Sequence, residues 1–208
     1  MKTDVLIIGG GLAGAASAYF LAREGVDILL VDRFDLNTQA SGTNSGSLHV
    51  QIQFEPFVTE GDGWAESFAP TLPLMLESVQ LWTELGADID CDLDVSISGG
   101  LLVAHTDEHM RDIESKTALE RQWGVQTELL AGSDVRDLAP YVSEQIIGGA
   151  FCPHEGKANP LKATPGLARA AKRLGARFLL NTEVTGLSES RDGFVARTPE
   201  QHIEARRV

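Results

Sequence analysis

The first 32 residues constrain the fold most strongly, because they contain two short apolar runs separated by a glycine-rich turn and a stretch of small residues. Residues 5–8 read Val-Leu-Ile-Ile and residues 28–31 read Ile-Leu-Leu-Val. Such runs are typical of strands that are buried on both faces of a parallel sheet. The small and apolar residues between them predict a crossover helix that contacts the sheet through Ala18 and ends at Gly25. The segment therefore predicts the first strand–helix–strand unit of an α/β fold.

The turn after the first strand reads Gly-Gly-Gly-Leu-Ala-Gly at residues 9–14. In this pattern Gly9 permits the tight bend, Gly11 lets the backbone approach a pyrophosphate, and Gly14 lets the helix pack closely on the strand. The N–H groups at the positive end of the helix dipole would then bind the diphosphate. The pattern predicts a dinucleotide-binding turn; a strand–turn–helix without a ligand is the alternative.

Asp32 ends the second apolar run, eighteen residues after Gly14. A carboxylate roughly twenty residues beyond the glycine turn accepts hydrogen bonds from the adenosine ribose in dinucleotide-binding folds. An acid at this position repels a ribose 2′-phosphate, so NADP is disfavoured. The acid does not separate NAD from FAD.

The net charge limits the possible partners. The chain has 208 residues, enough for one large domain or two small ones, and a formal net charge of −13. This charge argues against nucleic acid or an anionic membrane as the main partner, since both attract basic surfaces. No apolar run approaches the roughly 18 residues of a membrane span, and Cys91 and Cys152 lack disulfide-framework or metal-ligand spacing. We expect a cytoplasmic protein with no membrane span and no metal site.

Residues 37–47 form a polar, glycine-punctuated segment, Asn-Thr-Gln-Ala-Ser-Gly-Thr-Asn-Ser-Gly-Ser. It is too rich in turn-forming residues for a regular element. Because it follows Asp32 so closely, we interpret it as a loop that wraps a polar cofactor; a flexible surface loop is the alternative.

The remainder of the chain alternates between helical and strand patterns. The predicted helices cover residues 70–85, 106–123, 133–138 and 161–174, and the predicted strands cover residues 98–104, 125–130, 146–151 and 176–180. Residues 60–63 are predicted to form a turn, residues 88–94 a solvated turn rather than a calcium loop, and residues 195–208 an unfinished hairpin that exposes a sheet edge. The order predicts a nucleotide-binding domain built from both ends of the chain, with an antiparallel-sheet domain inserted at about 50–155.

Four stretches together resemble the D-amino acid oxidase-like FAD-dependent oxidoreductases, which include glycine and sarcosine oxidases and the FAD subunits of amino-acid and opine dehydrogenases. They are residues 4–33, 41–46, 99–101 and 155–160. The resemblance implies a Rossmann-like FAD-binding domain from residues 1–50 and 155–208, and part of a mainly antiparallel substrate domain from residues 51–154. It also implies that the C-terminal part of the family fold is missing, since family members are nearly twice as long.

The resemblance also implies which residues contact the cofactor. The cofactor-binding residues it implies are Gly9, Gly10, Gly11, Leu12, Ala13, Gly14, Asp32, Arg33, Ser41, Gly42, Asn44, Ser45, Gly46, Leu48 and Val184. Asp32 stands where much of the family has glutamate, and Val184 would meet the adenine through its backbone. His49 is a candidate for substrate contact; a surface histidine at the start of a helix is the alternative.

The activity that the resemblance implies is oxidation of the C–N bond of an amino acid or secondary amine, with hydride transfer to flavin. Because the cofactor performs the difficult step, no acid/base pair is expected among the residues. Residues that clamp the substrate carboxylate would lie mostly in the missing part, which implies a fragment or a chain completed by a second subunit or a homo-oligomer. Two alternatives are an inactive nucleotide-binding or assembly module and an NAD-dependent dehydrogenase.

Overall fold

The computed structural model describes residues 1–208, which divide into two compact units. Unit 1 contains residues 1–46, 85–94 and 159–208, and unit 2 contains residues 47–84 and 95–158. The helix Leu72–Asp88 (α4) begins in unit 2, and its last residues belong to unit 1. Each unit is therefore assembled from segments that are distant in sequence.

Unit 1 is a six-stranded sheet with two long helices. Its strands are β1 (Lys2–Ile8), β2 (Ile28–Val31), β8 (Arg177–Leu179), β9 (Gly186–Ser190), β10 (Gly193–Arg197) and β11 (His202–Arg207), and its helices are α1 (Leu12–Arg23) and α7 (Pro160–Arg173). The strand order is β8-β2-β1-β11-β10-β9. Strands β8, β2, β1 and β11 are parallel, whereas β11, β10 and β9 are antiparallel. The predicted parallel α/β sheet is confirmed.

Strand β2 contributes buried side chains to both faces of the sheet of unit 1. All four residues of β2 are buried, and Leu29 and Val31 join Leu6 and Ile203 in one core cluster. Because side chains alternate along a strand, the other residues of β2 face the opposite side. Helix α1 packs against α7 and buries Ala18. The predicted end of this helix at Gly25 is also observed, since the helix stops at Arg23 and Gly25 has a φ of +78°.

The final hairpin differs from the prediction. Strand β11 pairs with β1 on one side and with β10 on the other, and β10 also pairs with β9. Both strands of the hairpin are therefore hydrogen-bonded on both sides, so the predicted exposed edge is wrong. The edge strands of this sheet are β8 and β9. The hydrophobic pattern of the hairpin could not reveal this, because the parallel partner β1 lies at the other end of the chain.

Unit 2 combines small antiparallel sheets with helices. Its strands are β3 (Ser47–Leu48), β4 (Gly100–Ala104), β5 (Glu128–Ala131), β6 (Gly148–Cys152) and β7 (Gly156–Lys157), and its helices are α2 (Phe54–Glu60), α3 (Asp62–Phe68), α5 (Asp107–Gln122), α6 (Gly132–Leu138) and the first part of α4. The sheets have the orders β4-β6-β5 and β3-β7, and all their pairings are antiparallel. The predicted antiparallel insert is confirmed.

Two short helices of unit 2 were not predicted. Helices α2 and α3 occupy a region in which only a turn at residues 60–63 was predicted, and Gly61, with a φ of +77°, separates them. Each helix has only seven residues, and each buries one apolar residue, Phe57 or Ala65. Two turns of helix are too short for a reliable 3.6-residue pattern, so tertiary packing determines these helices.

Two further expectations concern the region around helix α4. The helix covers Leu72–Asp88 instead of the predicted residues 70–85. The following segment is irregular, as predicted, but Ile89 and Leu93 are buried rather than solvated.

No helix of the structure combines the length and the apolar character that a membrane crossing requires.

A buried ion pair lies in unit 2. Lys116 Nζ donates to Glu120 Oε1 at 2.5 Å, and the two side chains are 1% and 0% exposed. Glu120 also accepts hydrogen bonds from the Ile52 N–H at 2.8 Å and the Thr127 hydroxyl at 3.3 Å. Burial raises the pKa of the Glu120 carboxyl, and Lys116 with these hydrogen bonds opposes the rise. The charge of Glu120 therefore depends on Lys116.

Replacing Lys116 with methionine tests this dependence. Lys116→Met should lower the free energy of unfolding by about 3–5 kcal/mol, because it leaves a buried carboxylate without its cation. Adding Glu120→Gln should recover most of the loss, since glutamine removes the charge and keeps an acceptor for the Ile52 N–H. Urea unfolding followed by circular dichroism measures both effects.

The matched control is Lys157→Met, which removes an exposed lysine of unit 2. It should change the free energy of unfolding by about 0.5 kcal/mol or less. A Lys116→Met effect as small as the control would contradict the dependence.

Candidate functional site

The glycine turn joins β1 to α1 with almost no space between them. Gly9 has a φ of +118°, and its N–H donates to the Val31 carbonyl at 2.8 Å. A side chain at Gly14 would overlap the carbonyl oxygen of Gly9. A Cβ at Gly11 would lie 2.8 Å from the Ser41 hydroxyl. Glycine at positions 9 and 14 therefore lets helix α1 begin with only three residues between it and the end of the strand.

The start of helix α1 has unused hydrogen-bond donors. The Leu12 N–H donates to the Ser41 hydroxyl at 2.9 Å. The N–H groups of Gly11, Ala13 and Gly14 donate to no acceptor of the chain, and the first turn contains no acidic residue. Unsatisfied N–H groups at the positive end of a helix dipole attract an anion. The predicted diphosphate-binding residues thus form a cradle that suits a negatively charged group.

Asp32 follows β2, directly beside this cradle. One carboxylate oxygen accepts the Gly10 N–H at 2.5 Å, and the other accepts the Phe34 N–H at 2.7 Å. A carboxylate can accept about four hydrogen bonds, so Asp32 retains acceptor capacity for a hydroxyl. The carboxylate therefore orders the glycine turn and is also suited to bind a sugar.

A solvent-open cleft of about 320 Å³ lies beside Asp32 in unit 1. Its lining residues are Ile8, Gly9, Val31, Asp32, Arg33, Phe34, Gln39, Thr182, Glu183 and Val184. The Thr182 N–H donates to the Asp32 carbonyl at 2.8 Å, which ties the segment of Val184 to the end of β2. The structure thus brings together Gly9, Asp32, Arg33 and Val184, which the sequence predicts to bind one cofactor.

The polar loop at residues 37–47 makes specific contacts through Ser41, Gly42 and Asn44. Ser41 lies at the N-terminus of α1, and Gly42 packs so closely on the Asn37 carbonyl that a side chain would overlap it. The Asn44 side chain donates to the carbonyls of Ala40 and Ser41 and accepts from the Gly46 N–H. The Asn44 amide is therefore used within the loop, and Ser45 is exposed.

Leu48 and His49 belong to unit 2. His49 follows β3 and lies five residues before α2 begins. Of its predicted alternative, a surface histidine at a helix start, the helix start is wrong and the surface position is confirmed. Its side chain is 66% exposed, and Nδ1 lies 3.5 Å from Glu155 Oε1. An open cleft of about 520 Å³ in unit 2 is lined by His49, Gln51, Ile52, Gln53, Phe54, Glu55, Pro56, Gly100, Leu101, Leu102, Lys116 and Glu155. His49 thus lies at a cavity that could receive a small molecule.

Glu155 is the residue of this cleft that sequence reasoning does not select, since it appears there only as the first residue of the stretch 155–160. Its carboxylate accepts the N–H groups of Val50 at 2.9 Å and Gln51 at 3.0 Å, and the Gln51 side-chain amide at 3.1 Å. No local signal distinguishes it, because His154 and Lys157 are polar neighbours of the same kind and its partners lie about a hundred residues earlier in the chain.

Comparison with known proteins identifies the family. The family model for FAD dependent oxidoreductases, DAO, matches residues 4–208. The chain is 27% identical over 215 residues to the B subunit of opine oxidase from Agrobacterium tumefaciens (strain Ach5), covering 100% of the chain and 55% of that protein. It is 28% identical over 182 residues to the A1 subunit of anaerobic glycerol-3-phosphate dehydrogenase from Haloferax volcanii, covering 88% and 28%. The chain thus spans about half the length, or less, of these curated relatives.

The fold agrees with this assignment. The crystal structure of L-proline dehydrogenase from P. horikoshii superposes with a TM-score of 0.86 at 22% sequence identity, and the match covers 100% of this chain and 53% of that one. The family model extends over nearly the whole chain and names the cofactor class. The predicted resemblance, fold class and FAD dependence of the family are confirmed, and the chain belongs to the DAO family of FAD dependent oxidoreductases.

Proposed function

We propose that unit 1 binds the adenosine diphosphate part of FAD and that unit 2 is part of the substrate domain of an enzyme that oxidises the C–N bond of an amino acid or secondary amine. The observation that carries the proposal is the set of unused N–H groups at the start of α1, directly beside Asp32. The predicted domain ranges, residues 1–50 with 155–208 and residues 51–154, stay a prediction of these two roles, and they differ from the two compact units at residues 47–50, 85–94 and 155–158.

The chemistry of the residues in unit 1 supports cofactor binding. The amides of Gly11, Ala13 and Gly14 would bind the diphosphate, and Asp32 would accept the ribose hydroxyls. Arg33 and Val184 would line the adenine side of the cleft. The assignments of Gly42, Asn44, Ser45, Gly46 and Leu48 rest on the family pattern alone.

The charges in the cleft of unit 2 support an amine substrate. When bound, FAD supplies the two-electron acceptor, so the protein's task is to orient the substrate and exclude water. Glu155 and Glu55 line the cleft, and the charge of Lys116 is already paired with buried Glu120. An acidic cleft tolerates an amine and repels a phosphate. We therefore favour C–N oxidation over oxidation of a phosphorylated alcohol, with His49 as a residue that contacts the substrate.

The assembly of the protein is part of the proposal. Two relatives are named as subunits, of opine oxidase and of an anaerobic glycerol-3-phosphate dehydrogenase. We propose that this chain also functions with a second subunit or as a homo-oligomer. The cytoplasmic location stays a prediction from the sequence.

Nucleotide binding by unit 1 can be tested with ADP as well as FAD, because ADP carries only the part that this unit would bind. Ala13→Glu should weaken both ligands about tenfold or more, since it adds a negative charge beside the diphosphate. Glutamate in the first turn of a helix is itself favourable, so the fold should be retained. Isothermal titration calorimetry measures the affinities.

The control for this test is Ser17→Glu, which adds the same charge to an exposed position one turn further along α1. It should change the affinity for ADP by about twofold or less. Equal losses in the two variants, or an unmodified chain that binds neither ADP nor FAD, would refute the assignment of the α1 N-terminus.

The substrate class can be tested by anaerobic mixing of the FAD-loaded protein, together with any chain that copurifies, with candidate substrates. We expect α-amino acids or N-alkyl amino acids such as L-proline to remove the absorbance of oxidised flavin, and glycerol-3-phosphate to have no effect. The physical reason is the acidic cleft, which disfavours a phosphate dianion.

Reduction by glycerol-3-phosphate alone would overturn the amine assignment. Tight FAD binding without reduction by any substrate would instead favour the inactive assembly module.

A further inference from the structure

Two of the family-like stretches, residues 99–101 and 155–160, meet at one side chain in unit 2. A side chain at Gly100 would overlap the Oε2 atom of Glu155. The Gly99 N–H also donates to the Glu155 backbone carbonyl at 2.8 Å. The carboxylate of Glu155 therefore occupies the space that glycine leaves open at position 100.

The Glu155 carboxylate is buried and surrounded by donors. Its side chain is 8% exposed, and it accepts the N–H groups of Val50 and Gln51 and the Gln51 side-chain amide. A buried carboxylate is costly unless several charge-assisted hydrogen bonds stabilise it. These bonds fix the backbone directly after His49, whose ring lies 3.5 Å from the same carboxylate.

Hydrogen bonds to both the nitrogen and the oxygen of the Gln51 side-chain amide fix its orientation. Its Nε2 atom donates to Glu155 Oε2 at 3.1 Å, and its Oε1 atom accepts from Lys116 Nζ at 3.1 Å. Lys116 donates in turn to Glu120, which accepts the Ile52 N–H. Two buried carboxylates therefore hold three successive backbone amides, those of residues 50, 51 and 52.

We propose that Glu155 is a positioning residue, which fixes the Gln51 side chain and His49 at the cleft of unit 2, and that residue 100 must be glycine to admit its carboxylate. This role of Glu155 rests on the proposed function in one respect, which is that the cleft of unit 2 is the substrate site. Nothing in it depends on which amine is oxidised.

The network predicts the outcome of a reciprocal exchange. Glu155→Gln places a side-chain NH₂ group, a donor, against the NH₂ group of Gln51. Rotating the Gln51 amide would remove this conflict but would set its NH₂ group against the Lys116 ammonium, which is also a donor. Gln51→Glu places two carboxylates together. The double variant Glu155→Gln with Gln51→Glu restores every donor–acceptor pair and the net charge. In it, the carboxylate introduced at position 51 would accept from Lys116 and from the amide introduced at position 155.

The first measurement is hydrogen exchange at the backbone amides of Val50 and Gln51, read by NMR without cofactor or substrate. Each single variant should accelerate exchange about tenfold or more, and the double variant should return it to within about threefold of the original chain. Gly100→Ala should resemble Glu155→Gln, since it displaces the carboxylate and retains its charge. The controls are Glu128→Gln, an exposed carboxylate in β5, and Gly63→Ala, which has open space around the added methyl.

The second measurement is the split between KM and kcat for the amine that reduces the flavin. The single variants should raise KM about tenfold or more, and the double variant should reverse the rise. Unchanged exchange in Glu155→Gln, or a double variant no better than the singles, overturns the proposal. Altered exchange with unchanged KM and kcat reduces Glu155 to a structural residue and also overturns it. If no amine reduces the flavin, the proposed function fails, and the exchange data decide separately whether Glu155 positions this segment.

Discussion

Unit 1 depends on the backbone contact between Gly14 and the carbonyl of Gly9. Because no side chain separates them, only three residues lie between the end of β1 and the start of α1. The first N–H groups of a helix have no acceptor within the helix, and here those of Gly11, Ala13 and Gly14 find none elsewhere in the chain. Helix α1 lies against β1 and β2, and its small residues, such as Ala18, are buried. The close contact therefore sets where the helix N-terminus lies, and the N–H groups that every helix leaves free at its start make that place an anion site.

A carboxylate that binds backbone N–H groups occurs in both units. In unit 1, Asp32 binds the amides of Gly10 and Phe34; in unit 2, Glu155 binds those of Val50 and Gln51. Each charge-assisted bond contributes about 1.5–3 kcal/mol when its partners are well placed. Such bonds order irregular backbone that has no ladder of its own. The acidic residues near both clefts therefore have a structural use besides their effect on the charge of a ligand.

The parts of the fold that sequence reasoning could predict are those determined locally. The segment from β1 to Asp32 contains its own strand pattern, turn glycines and helix stop. Helix α5 begins within one residue of the predicted start at residue 106, where the Thr106 hydroxyl accepts the His109 N–H. The placement of β11 beside β1, and the contact of Glu155 with Gly100, join residues that no local pattern relates. The same reason explains the candidate site: its glycines and Asp32 follow a known spacing, whereas the partners of Glu155 are known only from the tertiary structure.

The position of Asp32 also bears on which dinucleotides unit 1 can accept. Its two carboxylate oxygens are held by the Gly10 and Phe34 amides, so the charge is fixed in place before any ligand arrives. A fixed acceptor binds ribose hydroxyls without the entropy cost of ordering a side chain. The same fixed charge cannot turn away from a 2′-phosphate, and the Gly10 amide would lose its partner if it did. In the proposed site, discrimination against a phosphorylated ribose would therefore follow from the hydrogen bonds that order the turn.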